Sequence, residues 1–262
     1  MNSALLGTAS EEVISTFGSA GKARSDLRRW ERRPNCEHVV EAVKGHTSAA
    51  VYAVRASDVE QLVTEHALGA TRPQQGYRVK KIQNWRPDFA MSHLFHFCLE
   101  QSRGVFSYDQ FRNFCKTDPS ARQFNHQAQA KVRGLVQEEG WDEGDARISM
   151  KWRVGLAYYS FLREMYVIAR LREHGLDMRA HPLADVLFLS DAWCGDTVLE
   201  LFIANREFKT ADGGGKNTVQ DLLRDQPKFR VVRLVMQPQH TWGVVHLPTT
   251  DEIARCAHEI AH

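Results

Sequence analysis

The sequence predicts an α/β chain in which a mostly helical region, residues 1–145, precedes a smaller α/β core, residues 146–262. Helical spacing of apolar residues dominates the first region, and a Gly/Asp-rich break, "EEGWDEGDAR", closes it. After the break come one long helical run and several apolar runs of strand length. The predicted order of the core is therefore helix, three extended segments, helix and strand.

Composition is that of an ordinary globular protein. The 262 residues are 43% apolar and 25% charged, and the formal net charge is +2. This charge is too small to mark the whole chain as nucleic-acid-binding, so such a function has to rest on local clusters. The five scattered cysteines include no CxxC pair, which argues against structural zinc and favours a reducing compartment. Without a signal-like leader or an 18-residue apolar span, we expect a cytoplasmic protein with no membrane association.

Residue types that start and stop helices set the expected boundaries within the helical region. The apolar run from Ala49 to Val54 is predicted as a strand between two short helices, of which the second is capped by Ser57 or Asp58. The other expected boundaries are N-caps at Ser107 and Ser120 and helix stops at Gly104 and Gly140.

The core begins with a long helix that is expected to end at Gly175. The stretch "ADVLFLSDAWCGDTVLELFIANREFK", residues 184–209, then contains two apolar runs, each predicted as a strand and each carrying one acid, Asp185 or Glu200. Further along, "NTVQDLLRDQ" and "TDEIARCAHEIA" are predicted helices, "FRVVRLVM" is a predicted strand, and "WGVVHL" is a predicted extended run.

An acid inside an apolar strand needs a physical explanation, because an unpaired buried carboxylate costs several kcal/mol or becomes neutral. Two acids that converge from neighbouring strands would form an oxygen-rich site suited to Mg²⁺. The competing interpretation places Asp185 and Glu200 at strand ends, where each pairs with an arginine such as Arg179 or Arg233.

The order of elements and the two acids resemble the core of the PD-(D/E)XK nuclease superfamily over residues 150–237. The resemblance implies a restriction-endonuclease-like α-β-β-β-α-β fold and a Mg²⁺- or Mn²⁺-dependent endodeoxyribonuclease. It assigns Asp185 and Glu200 as metal ligands and Glu164, in "LREMY", as a supporting acid. The family's lysine position holds Phe202 here. The nearby cations that could replace this lysine are Arg206, Lys209 and Lys216, and Lys216 is favoured because it precedes a predicted helix.

A second resemblance, to thioredoxin-like proteins, rests on "WCGD" and "HLPTT". The position of a second CxxC cysteine holds Thr197, and the run "TVLELFIAN" would have to be helical despite its β-branched and aromatic content. We therefore keep the thioredoxin-like fold only as a minor alternative.

Two basic segments that contain tryptophan indicate contact with nucleic-acid phosphates, or else a solvated surface. The predicted contact residues are Arg28, Arg29, Arg32, Arg33, Arg78, Lys80, Lys81 and Arg86. A later helical run offers Gln123, Asn125, Gln127 and Arg133 as residues that could read base edges. We expect DNA rather than RNA as the partner, and a homodimer or a partner protein is also open. The alternatives are a nucleic-acid-binding protein of the same fold without cleavage activity, and a scaffold whose acids are structural.

Overall fold

The computed structural model describes residues 7–62, 67–203, 218–236, 241–242 and 245–262. About 61% of the chain is helical and the sheets are small, which confirms the α/β class. The N-terminal part contains α1 (Ser10–Phe17), α2 (Gly21–Glu31), α3 (Glu37–Lys44), α4 (Ala56–Leu62), α5 (Pro73–Gly76), α6 (Lys80–Gln83), α7 (Ser92–Ser102), α8 (Tyr108–Thr117) and α9 (Arg122–Glu139). Two short strands, β1 (Thr8–Ala9) and β2 (Thr47–Ser48), pair antiparallel.

The C-terminal part holds the main sheet. Its elements are α10 (Glu143–Glu173), α11 (Pro182–Phe188), β3 (Ala192–Cys194), β4 (Thr197–Ile203), α12 (Val219–Leu222), β5 (Arg230–Met236), β6 (Thr241–Trp242), β7 (Val245–His246) and α13 (Thr250–Ala261). Strand β3 is antiparallel to β4, and β4 is parallel to β5. Arg179 extends this sheet by an antiparallel bridge to Trp193.

Helix α10 is the central element of the fold. The Asp142 side chain caps it by accepting a hydrogen bond from the backbone N–H of Asp145. As the apolar pattern predicts, the helix is buried on more than one side, and it contacts α4, α5, α6, α7, α9 and α13. Among the described residues, no helix is long and apolar enough to cross a membrane.

The sheet β3–β4–β5 has a different hydrophobic cluster on each face. Leu199, Leu201 and Ile203 of β4 pack into the cluster that contains α10 and α13. Val198 points the other way, into the cluster formed by α1, α2, α3, α11 and α12. Each cluster combines residues from before and after position 145. The division of the chain into residues 1–145 and 146–262 stays a prediction.

Several predicted elements are confirmed. Ser107 caps α8 with a full capping box, Gly140 ends α9 in the left-handed conformation, and the predicted strands that contain Glu200 and Arg233 are β4 and β5. Two other predictions are wrong. The run from Ala49 to Val54 contains a 3₁₀ turn, Ala50–Tyr52, and Asp118 rather than Ser120 supplies the cap before α9 by accepting from the backbone N–H of Ser120.

The first apolar run of the acid-bearing stretch is also not a strand. Residues Pro182–Phe188 form α11, in which Pro182 occupies the first turn and the His181 imidazole Nδ1 accepts a hydrogen bond from the backbone N–H of Leu183. Asp185 therefore lies in the first turn of a helix, where the helix dipole favours a negative charge.

Candidate active site

Three carboxylates from three elements interact in the core. Glu164 lies on α10, Asp185 on α11, and Asp191 directly before β3. Burial, and then the charges of Asp185 and Asp191, raise the pKa of Glu164 well above its usual range. The structure thus brings together Glu164 and Asp185, which the sequence predicted, with Asp191, which it did not.

Asp191 is fixed by the sheet. Its Oδ2 accepts a hydrogen bond of 2.6 Å from the backbone N–H of Leu201 in β4. Burial, then the charge of Asp185 and to a smaller extent that of Glu200, raise its pKa to about 7, against the opposing effects of that hydrogen bond and of Arg163. In the sequence, Asp191 follows Ser190 between two apolar runs and has the appearance of a turn residue. Its position at the start of a buried strand was the signal that could have identified it.

Glu164 is the most deeply buried of the three acids, with 8% of the residue exposed. Its Oε1 has no hydrogen-bond partner among the described residues and lies 3.9 Å from Nε2 of His96. Burial and neighbouring histidines lower the pKa of His96 well below its usual range, so this imidazole is neutral at pH 7. His96 therefore supplies no positive charge to Glu164, and burial favours the neutral form of this carboxyl group.

Further neutral histidines surround His96. The His46 ring centroid lies 6.3 Å from that of His96 and 5.4 Å from that of His181. Nε2 of His181 donates to the backbone carbonyl of His46 at 3.0 Å, because Nδ1 is already the acceptor at the start of α11. Burial is the main cause that lowers the pKa of His46 to about 3 and those of His93 and His181 to about 4.

Arg163 is a buried cation beside the acids. It is 9% exposed, its Nε donates to the backbone carbonyl of His246 at 2.7 Å, and its Nη1 donates to Ser160 Oγ at 3.4 Å. Burial lowers its pKa to about 10, while the charge of Asp191 acts in the opposite direction. The guanidinium therefore stays charged at neutral pH.

Glu200 is held in a different way. Its Oε2 accepts hydrogen bonds from Nη2 and Nε of Arg233 at 2.6 and 2.7 Å, across the parallel pair β4–β5. The same guanidinium lies 5.7 Å from the centre of the Phe202 ring. Because side chains alternate along β4, Glu200 and Phe202 lie on the opposite face from the residues that contact α10. The ion-pair interpretation considered for Glu200 is thus the one that the structure supports.

The remaining predicted catalytic residue, Lys216, lies outside the described residues, as do Arg206 and Lys209. The "WCGD" motif forms a tight β-hairpin, in which Gly195, at φ +57°, and Asp196 connect β3 to β4. Because Thr197–Ile203 is a strand rather than the helix that follows a thioredoxin active-site turn, the thioredoxin-like alternative is wrong.

The first basic segment lies on α2 and the turn after it. Arg28, Arg29, Arg32 and Arg33 are exposed, while Leu27 and Trp30 form the buried side of the helix. Arg29 lies 3.4 Å from Asp26, and the Arg33 guanidinium lies 6.0 Å from the centre of the Phe89 ring. This arrangement leaves most of the positive charge accessible to a partner.

The second basic segment contains both paired and unpaired cations, all of them exposed. Arg78 pairs with Asp145 at 2.8 Å and Lys81 with Glu139 at 2.7 Å. Lys80 and Arg86 have no ion pair among the described residues.

On the neighbouring α9, Gln127 is occupied by two hydrogen bonds to Asp88, of 2.9 and 2.8 Å, and the Gln123 side chain donates to the Asn35 carbonyl at 3.5 Å. These two glutamines hold neighbouring segments in place, and they are not free to read bases in this conformation.

Within the described residues, no group of three or more His, Cys, Asp or Glu side chains is arranged to hold a metal ion. Mg²⁺, however, needs only one or two carboxylates and keeps several waters. The oxygen donors of Asp185 and Asp191, next to the unpartnered Oε1 of Glu164, fit such an ion chemically.

No family model, no curated protein and no solved structure matches this chain. The resemblance to PD-(D/E)XK nucleases therefore stays a prediction, and function has to be argued from the geometry of the site.

Proposed function

We propose that this chain binds nucleic acid and hydrolyses its phosphodiester bonds with the help of Mg²⁺ or Mn²⁺. The observation that carries the proposal is the convergence of Glu164, Asp185 and Asp191 from three elements of the core. Asp185 and Glu164 are also the residues to which the PD-(D/E)XK resemblance assigns a metal-binding and a supporting role. A divalent cation is the ligand that would remove the repulsion among them.

The energetic cost of the three acids supports a functional role. A buried carboxyl group without its hydrogen bonds costs about 1–3 kcal/mol, and more when it is charged. A glutamine or leucine in place of Glu164 would suit α10 at a lower cost. Strongly perturbed carboxyl pKa values of this kind are concentrated in active sites, where binding or chemistry needs them.

Asp185 and Asp191 are the proposed ligands of the ion, and Glu164 supports them from α10. A divalent cation, when bound, supplies Lewis-acid stabilisation of negative charge on the phosphoryl group. Asp191 takes the position that the sequence prediction gave to Glu200, since Glu200 is neutralised by Arg233. The buried Arg163 guanidinium adds positive charge near Asp191.

The order of the core elements also supports a restriction-endonuclease-like fold. Helix α10, the extended residue Arg179, β3, β4, α12 and β5 follow one another as helix, three extended segments, helix and strand. Helix α11, between Arg179 and β3, is an addition to this order.

The test is a cleavage panel of single-stranded DNA, duplex DNA and RNA with Mg²⁺ or Mn²⁺. Asp185→Asn and Asp191→Asn keep side-chain size and should each lower the rate by on the order of 10²–10³, as expected when one preorganised charge is removed. Glu200→Gln is the matched control and should stay within a few-fold of wild type. Equal rates in all four proteins would assign cleavage to another site. Binding without cleavage by the wild type would identify a non-catalytic nucleic-acid-binding protein.

A further inference from the structure

A second site lies on α10, about three turns before Glu164. Arg153, on α10, and Arg86, in the segment after α6, are close enough that the charge of Arg86 lowers the pKa of Arg153, after burial as the main cause. Neither arginine has an acidic partner within the part of the chain that the structure describes. Two neighbouring guanidinium groups without a counter-ion repel each other, so their juxtaposition needs an explanation.

Arg153 also has an unsatisfied donor. Its Nε is buried and has no hydrogen-bond partner among the described residues, although the residue as a whole keeps partial exposure. Buried polar atoms without a partner are rare in folded proteins and often indicate an absent ligand, ion or water. Arginine donors in a planar fork match the oxygens of a phosphate group.

Other arginines of this region do not have these properties. Arg147 on α10 is exposed and pairs with Glu143 at 2.6 Å, and Arg78 is held by Asp145 at 2.8 Å. The contrast separates Arg86 and Arg153 from the ordinary solvated charges around them.

One side of α10 leads from Arg153 toward Glu164, and it is exposed as far as Ser160. Arg153, Ala157, Ser160 and Glu164 recur at helical spacing on one side of the helix, and the first three keep partial or full exposure. Arg153 and Glu164 are three turns apart, which corresponds to about 16 Å at 1.5 Å per residue. A B-form strand spans that distance in about five nucleotide steps of 3.4 Å.

We infer that Arg86 and Arg153 form a binding site for a backbone phosphate of a nucleic-acid strand that runs along α10 toward the acidic residues. The inference rests on the proposed function in its choice of nucleic acid as the polyanion. Arg86 contacts the phosphate from the solvent side, and Arg153 supplies the less exposed donor. The site increases the affinity for the strand and fixes the position of the strand along α10. The bond that is cleaved lies elsewhere.

Binding of a fluorescent duplex 14-mer, measured without divalent cation across a salt series, tests the site independently of cleavage. Arg86→Ala, which changes an exposed residue, should weaken binding and reduce the slope of log K against log salt by about 0.9, the value for one lost phosphate contact. Arg147→Ala is the matched control on α10 and should leave the slope unchanged. Equal slopes for Arg86→Ala and wild type would overturn the inference.

A titration with inorganic phosphate, monitored by the Nε–Hε signal of Arg153 in ¹⁵N spectra, distinguishes binding of a free anion from binding of a backbone phosphate. The signal should shift on addition of the 14-mer and more weakly with phosphate, and Arg86→Ala should diminish both shifts. Saturation by phosphate alone, with no response to the 14-mer, would assign the site to a free anion and overturn the strand proposal. Loss of cleavage in Asp191→Asn with intact Arg86-dependent binding would separate this site from the acidic residues.

Discussion

Glu200 and Glu164 represent two ways in which this fold accommodates an acid among apolar residues. Glu200, on one face of the sheet, receives two hydrogen bonds from Arg233, and the pair keeps partial contact with solvent. Glu164, on the side of the sheet that α10 covers, has an unpartnered Oε1 and a neutral imidazole as its neighbour. The sequence pointed to them in different ways, since Glu200 interrupts a predicted apolar strand, whereas Glu164 is assigned only by the resemblance to PD-(D/E)XK nucleases.

The difference indicates which acid has a local structural role. An acid held by an arginine across a parallel strand pair is satisfied by the fold itself. An acid whose oxygen has no partner, and whose pKa is raised by burial and then by two further carboxylates, lowers the stability of the fold unless something binds. The three acids Glu164, Asp185 and Asp191 are therefore where a ligand is expected, whereas Glu200 stabilises the pairing of β4 with β5.

The largest expected effect comes from replacing Glu164 by a side chain of similar size without polar oxygens. Glu164→Met should raise the free energy of unfolding by about 1–3 kcal/mol, because the cost of burying an unsatisfied carboxyl group disappears. The same variant should lose cleavage activity, so that stability and function change in opposite directions. Urea unfolding at pH 7 measures the first effect.

Glu200→Met serves as the control, because it leaves Arg233 without its partner and should lower stability slightly. A decrease in stability of more than 1 kcal/mol in Glu164→Met would show that Glu164 has a stabilising partner in the folded protein, and it would remove the contrast between the two acids.

The pH dependence of stability should separate the acids from the histidines around them. The pKa of Asp191 rises from 3.8 to about 7 on folding, so the stability linked to its proton is present at low pH and is lost as pH rises toward 7. The pKa of His181 falls from 6.5 to about 4, so its unfolded form takes up a proton first and stability falls as pH decreases through that window. In the wild type, the effects of Asp191 and His181 on the pH dependence of stability therefore oppose each other.

Asp191→Asn removes the decrease of stability with rising pH that Asp191 causes, and it keeps the increase of stability with rising pH that His181 causes. Its stability should therefore rise more steeply between pH 4.5 and 7 than that of the wild type, as measured by urea unfolding at several pH values. Glu200→Gln keeps the Asp191 carboxyl group and should depart from the wild-type curve much less than Asp191→Asn does, because the Glu200 charge is only a minor cause of the raised pKa of Asp191. Parallel curves for Asp191→Asn and wild type would mean that Asp191 ionises normally in the folded state.

The smallest expected effect is that of the Glu200–Arg233 pair. Its side chains keep 24% and 44% of their surface exposed, and exposed ion pairs contribute about 0.2–1 kcal/mol. A double-mutant cycle with Glu200→Gln and Arg233→Met should give a coupling energy in this range that decreases in 1 M salt. A coupling above 2 kcal/mol would place Glu200 among the strongly desolvated acids.

Helices and strands were predicted best where the helical spacing of apolar residues continued over many residues, or where an apolar run was rich in β-branched residues. Helix α10 and strands β4 and β5 satisfy one of these conditions, and they were predicted correctly. The run at Asp185 is short and apolar throughout, so periodicity could not distinguish a strand from a buried helix. Pro182 at its start was the local signal for a helix.

Prediction of the site was limited by contacts between segments distant in the sequence. The pairing of Glu200 with Arg233 was foreseen as one of two interpretations, because an acid in one strand and an arginine in the next can meet. The position of Asp191 beside Leu201 depends on the hairpin that joins β3 to β4, and the neutrality of His96 depends on burial by several helices. An acid at the start of a buried strand marks Asp191 as a candidate, but neither of these properties can be derived from a local pattern.

The central claim is that Asp185 and Asp191, and not Glu200, bind a divalent cation. Mn²⁺ titration monitored by electron paramagnetic resonance measures free Mn²⁺ directly, without any assay of activity. At pH 8, where competing protons are fewest, the wild type and Glu200→Gln should bind one Mn²⁺ with similar affinity, and Asp185→Asn and Asp191→Asn should bind at least tenfold more weakly. Equal Mn²⁺ affinity in Asp191→Asn and the wild type, or loss of binding in Glu200→Gln alone, would contradict the claim.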